Sequence, residues 1–292
     1  NELNEAQLAQ ALIEQRKKQL EEALPRDATG LQSFRAQFGE TFRYSLMAEY
    51  PNNNELLSGP RESTSDGNVV AETVILSRKG RGDRVQMVSR TKRDQSVQSI
   101  VLVLSAADIL EGDEAAKARL NRDELVNSLI QSGSTVVTIN SFPGIQNSSA
   151  ASKYKFFTTY NRTDAANRVQ DILTALAFIN HKLKAGNQQT AVRVMALDKA
   201  GAWALLARGL APQIDRMTVD AALFDTESDE EFLKLLPIPG IRRAGDFTTA
   251  MTIAPLTPLF IHNTGDKFTT RRIAEVYRQF GRAADFRTSA TT

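Results

Sequence analysis

The stretch Val192–Leu210, VRVMALDKAGAWALLARGL, has the pattern of a strand, a tight turn and a helix. Enzymes with a covered parallel sheet often hold a nucleophile at such a corner. Its turn, Leu197-Asp198-Lys199-Ala200-Gly201, contains neither serine nor cysteine. Asp198 and Lys199 are the side chains there that could act as nucleophiles, and an aspartate in that role still needs a base to activate water. Further polar candidates fall where other apolar strands end: Ser105-Ala106-Ala107-Asp108, Asn140-Ser141-Phe142, Asp225 and Asp266. In an open parallel sheet, reactive groups gather at these carboxyl ends. The chain has no cysteine, which excludes disulfides, thiolate nucleophiles and cysteine-bound metal. His181 and His262 lie far apart without metal-ligand spacing, so no metal or cofactor is expected. Each histidine reads as structural, lacking a positioned partner.

The elements that would position these residues follow from periodicity. Residues 2–24 repeat leucines at helical spacing and stop at Pro25; Phe34, Phe38, Phe42 and Leu46 recur every four residues and mark another helix. PNNNELLSGPRESTSDGN reads as a polar loop, which makes residues 1–68 a helical arm and loop ahead of a domain at 69–292. VVAETVILSR and DRVQMVSRTK flank KGRG as a hairpin, and the Arg81-Gly82-Asp83 tripeptide within it reads as chance rather than as an adhesion motif. SIVLVLSAAD and STVVTINSFPG are apolar enough to be buried on both faces. A helix at TDAANRVQDILTALAFINHKL, the corner itself, strands at IDRMTVDAALF and PLFIHNTGD, a helix at RRIAEVYRQFG and a short last strand in ADFRTSATT complete the order. The class is α/β: a mostly parallel sheet with helices on both faces.

This order resembles the α/β-hydrolase fold, and within it the bacterial acetyl xylan esterase-like branch, over about residues 69–287. The likeness rests on the opening hairpin, on YNRTDAANRVQDILTAL before the corner, on the corner, and on PLFIHNTGD where the family carries its acid. The family's elbow is G-x-S-x-G. Laid on it, Leu197 takes the first glycine, Lys199 the serine, and Gly201 keeps the last glycine; shifted by one residue, Asp198 takes the serine's seat between Ala196 and Ala200. The resemblance implies an acid at Asp266, an oxyanion loop at Ser105, Ala106 and Asp108, and a histidine after the last strand, where the chain reads DFRTSATT. Asp108 would repel a developing oxyanion. The expectation is a catalytically degenerate hydrolase-like protein with a binding or structural role, whose Lys199 pairs with Asp266 across the old centre. The alternatives are an esterase that uses Asp198, Lys199, Asp266 and His262 in non-standard roles, and a trimmed domain whose histidine lies beyond Thr292.

Composition narrows the partners. The net charge of +2 comes from interspersed Lys, Arg, Asp and Glu, and aromatic residues make up 7%, so no nucleic-acid surface is expected. No apolar run reaches the ~18 residues of a membrane span. A small molecule or a carbohydrate is the open partner class. A start at Asn1 and the absence of cysteine point to export. Trp203, beside Leu205 and Leu206, is expected in the core rather than as a sugar platform. Asn147-Ser148-Ser149 and Asn161-Arg162-Thr163 match glycosylation patterns by chance.

Overall fold

A computed structural model describes residues 4–93, 96–141, 156–183 and 190–292; Phe142 and the Asn147 pattern lie outside them. Helix α1 (Glu5–Ala23) starts at a capping box, in which the Asn4 side chain accepts the Gln7 N–H and the Gln7 side chain accepts the Asn4 N–H. Only its C-terminal half docks: Leu20 is buried, while Leu8 and Leu12 are exposed. Asp27 caps α2 (Ala28–Phe34), which passes through one π-helical stretch (Arg35–Gly39) into α3 (Glu40–Leu46). This keeps Phe34, Phe38, Phe42 and Leu46 on one buried side, with Phe34 and Phe38 stacked at 4.6 Å.

The polar segment after the arm is not simply a loop. It forms β1 (Leu56–Ser58) and β2 (Glu62–Asp66), both antiparallel to β3 (Val69–Arg78). Every β2 residue is exposed, so no apolar alternation announced it; main-chain pairing alone makes the strand. β3 turns into β4 (Val85–Lys92). Here Asp83 takes the Nε–H of buried Arg78 at 2.7 Å and Arg81 donates to Glu49 at 3.1 Å, so both charges of the Arg-Gly-Asp tripeptide serve internal pairs.

Strand β5 (Ser99–Leu104) is buried at every residue and leads to α4 (Gly112–Gln131) and β6 (Ser134–Asn140). The short α5 (Phe157–Tyr160) precedes α6 (Asp164–Phe178), whose cap is the Thr163 hydroxyl, and β7 (Ala191–Ala196) runs into the corner helix α7 (Ala200–Arg208). β8 (Arg216–Asp220) is followed by α8 (Asp229–Leu235) and α9 (Asp246–Ile253), neither assigned from sequence. β9 (Leu259–His262), α10 (Arg271–Gln279) and β10 (Phe286–Thr288) close the chain. The sheet order is β1-β3-β4-β6-β5-β7-β8-β9-β10, with β2 also on β3. β6, β5, β7, β8, β9 and β10 are parallel.

Helices lie on both faces. The arm, α6, α7, α9 and α10 share the main core with inward residues such as Leu102, Val194 and Ile261. On the other face α4 buries Val126 and Ile130 against Val101, Val103 and Val136. Arg208 fastens the end of α7: buried, it donates to the carbonyls of Pro255 and Thr257 and to the Tyr277 hydroxyl.

One carboxylate of this packing should be felt in a titration. Asp246 opens α9 with a left-handed φ of 38°. Burial pushes its carboxyl up to about 6, against the pull of Arg242 and the Thr248 and Phe247 N–H groups. A folded pKa raised above the unfolded one makes ionisation work against the fold. Stability from this group is therefore full below about pH 4 and is lost as the pH rises through about 6, by roughly 2–3 kcal/mol at most. Asp246→Asn should accordingly gain on the parent between pH 5 and pH 8 in urea melts; parallel curves for the two proteins would refute it.

Candidate functional site

The corner is built by contact between α7 and the end of β8. A Cβ on Gly201 would lie 1.9 Å from the Asp220 carbonyl oxygen, so only glycine lets the helix start this close to the strand. The chain must therefore reverse sharply, and the residue that absorbs the strain is Asp198, with φ at 48°. Lys199 has an ordinary right-handed backbone and begins the helix. Of the two residues that the sequence offered for the corner, Asp198 occupies the strained position. The small neighbours Ala196 and Ala200 are both buried.

The Asp198 carboxylate is held from three sides. Oδ1 accepts the N–H of Ala106 at 2.7 Å and of Ala200 at 3.2 Å; Oδ2 accepts the Ser105 hydroxyl at 2.9 Å. The Ala107 N–H in turn donates to Ser105 Oγ at 3.1 Å. Burial raises the Asp198 pKa from its ordinary value; these hydrogen bonds oppose the shift, and nearby Asp220 adds to it. The negative group at the loop expected to hold an oxyanion is thus Asp198. Asp108, expected there, is exposed instead.

Sequence reasoning missed Asp220, because IDRMTVDAALF read as one unbroken strand. The strand stops at Asp220, whose Oδ2 accepts the Asp198 N–H at 3.3 Å. Its Oδ1 accepts the Ala222 N–H at 2.7 Å and the Asn263 side-chain amide at 3.0 Å. Asp220 so stitches the corner to the loops after β8 and β9. Left-handed backbones at Ala222, Leu223 and Asn263 are the local signature of that stitching.

The remaining candidates do not converge. Lys199 pairs with Glu114 on the first turn of α4 at 3.2 Å, their side chains 40% and 64% exposed, and not with Asp266. The lysine reaches outward because the corner aims Asp198, one residue earlier, at the loop. Asp266 is exposed and has no hydrogen bond or ion pair among the described residues. Asp225 bonds the Glu227 N–H and pairs with Lys267 at 3.5 Å. Asn140 donates to Gln86 on β4. His262 lies in β9 beside Phe260, ring centroids 5.7 Å apart, and its buried Nδ1 has no partner; the His181 ring lies 6.2 Å from that of Tyr50. Trp203 is 1% exposed, and the Arg168 guanidinium covers its ring at 4.6 Å. Among the described residues no three His, Asp or Glu gather as metal ligands, and no helix is long and apolar enough to cross a membrane.

No family model matches the chain, and no curated protein does. Solved structures do. The Bacteroides fragilis protein assigned as an acetyl xylan esterase aligns over 99% of this chain and 82% of its own, with a TM-score of 0.65 at 10% identity. A glucuronoyl esterase from Solibacter usitatus aligns over 87% and 82%, with a TM-score of 0.61 at 10% identity. Methylesterase BT1017 aligns over 91% of this chain, with a TM-score of 0.58 at 13% identity; the chain spans 60% of that protein. Sheet order, corner and these likenesses agree that the chain has the α/β-hydrolase fold.

Proposed function

We propose that this chain is a catalytically silent relative of the esterases that share its fold, and that it acts by binding. The observation that carries the reading is the Asp198 carboxylate seated on the Ala106 and Ala200 N–H groups. Acyl transfer needs such donors free for the oxygen that becomes negative in the transition state. Here the Asp198 carboxyl group already takes the Ala106 N–H, the donor on the loop expected to hold that oxygen. A base is lacking as well: no hydrogen bond among the described residues links a histidine to Asp198, and Asp220 is spent on main-chain and amide donors.

Hydrolysis of p-nitrophenyl acetate by the purified protein should match that of buffer containing an inert protein. Asp198→Ser should stay equally inactive, since the serine would have no base. Turnover that co-purifies with the protein and is lost in Asp198→Ala or Asp220→Ala would overturn the reading in favour of a hydrolase with unusual residues.

A further inference from the structure

Two cavities on the α4 face meet beside the corner. One, of about 450 Å3, lies between α4 and strands β4, β6 and β5. The other, of about 590 Å3, opens at the top edge of the same strands, and both are bordered by Asp108 and Asn140. Sharing Asp108 and Asn140, they are taken together as one trough, whose lining is mostly polar with Val88, Val103 and Val126 among its apolar residues. We propose that this trough binds a small hydroxy-monocarboxylate, with its carboxylate on Arg90. This gives a place and a ligand class to the binding role above.

The argument starts from Arg90. It stands on β4 with its side chain in the inner cavity, half removed from water. Its NH1 donates to the Thr138 hydroxyl at 3.1 Å. The acid within reach of its field, Asp123, is hydrogen-bonded to Arg122 at 3.1 Å. A guanidinium has five N–H donors in a planar fork, and a partly desolvated one lacking its own anion gains from a carboxylate laid along that fork. Desolvation of Arg90 is the largest influence on its ionisation, in keeping with a cation short of a counter-charge.

The rest of the rim selects among anions. Arg84, Arg90 and Arg122 line the trough with Asp108 and Asp123, a surplus of one positive charge. A monocarboxylate neutralises it. Phosphate, more highly charged, would meet the two aspartates. Ser105, Asn127 and Asn140 supply donors and acceptors for hydroxyl groups. Ser105 also donates to Asp198, so an occupied trough would touch the corner through that hydroxyl.

Glycerate is the probe, with glycerol and inorganic phosphate as its uncharged and more highly charged counterparts, measured by calorimetry and ligand-observed NMR on the whole chain. Glycerate should bind, and both counterparts should bind at least about tenfold more weakly. Arg90→Gln should weaken glycerate about tenfold, and Arg90→Lys less, since it keeps the charge but not the fork. Asp123→Asn, which removes the competing acid, should tighten it, an outcome that misfolding cannot imitate. No binding of glycerate, equal binding of glycerol or phosphate, or affinity unchanged in both Arg90→Gln and Asp123→Asn would overturn the proposal. None of these readouts depends on ester turnover, so the two readings fail separately.

Discussion

Gly201→Ala is expected to destabilise the protein by about 3 kcal/mol or more, beyond the usual range for an added methylene, because the clash is with backbone. The new methyl would lie 1.9 Å from the Asp220 carbonyl oxygen and 2.8 Å from Val219 Cγ1. Neither neighbour can swing aside. Val219 is fully buried in the core, and Asp220 is held by the Asp198, Ala222 and Asn263 donors. Either α7 must lift from the sheet or the end of β8 must move, and each breaks that set of bonds. The control is Gly39→Ala. Its Cβ would meet nothing within 4 Å, and Gly39 has a right-handed φ of −64°. Alanine there should leave stability unchanged or raise it by up to about 1 kcal/mol. Urea midpoints of the two variants measure the contrast, and equal midpoints would show that the corner is not held as tightly as described.

Trp203→Ala should lose about 3–5 kcal/mol, the range for removing a large aromatic side chain from a core. Trp203 is among the largest fully buried side chains, and it sits between α7's own core residues and α6, from which Arg168 stacks on its face. The deletion removes the packing and also strips Arg168, itself buried, of the ring that faces its charge. Trp203→Phe keeps a ring beneath Arg168 and should recover more than half of the loss. A tryptophan displayed for a sugar would behave in the opposite way, with unchanged melting and altered carbohydrate binding. Denaturant unfolding followed by far-UV circular dichroism distinguishes the two.

How far the sequence could be read depended on where the information sat. Strand β5 is apolar along most of its length because both faces are covered, and a run of that kind is legible without neighbours. Strand β2 is fully exposed and polar, held by β3's main chain, so its side chains carry no record of it. Helices α8 and α9 are only seven and eight residues long, too short for periodicity to stand out. At the corner, the glycine at 201 drew the motif one residue out of register. Its role is to meet Asp220, whereas the small residues flanking the strained position are Ala196 and Ala200. Asp220 itself could not be recognised from spacing, because its role depends on where β8 stops and on Asn263, 43 residues later.

The carboxylate at the corner also has a consequence for chemical tools. Asp198 is joined covalently to its own site, so its effective concentration there is at least of millimolar order, before any gain from the rigid turn. A boronate or phosphonate designed to mimic an acyl-transfer intermediate must displace that tethered group and would find no serine at the elbow position itself. Activity-based probes that tag serine hydrolases should therefore pass over this protein.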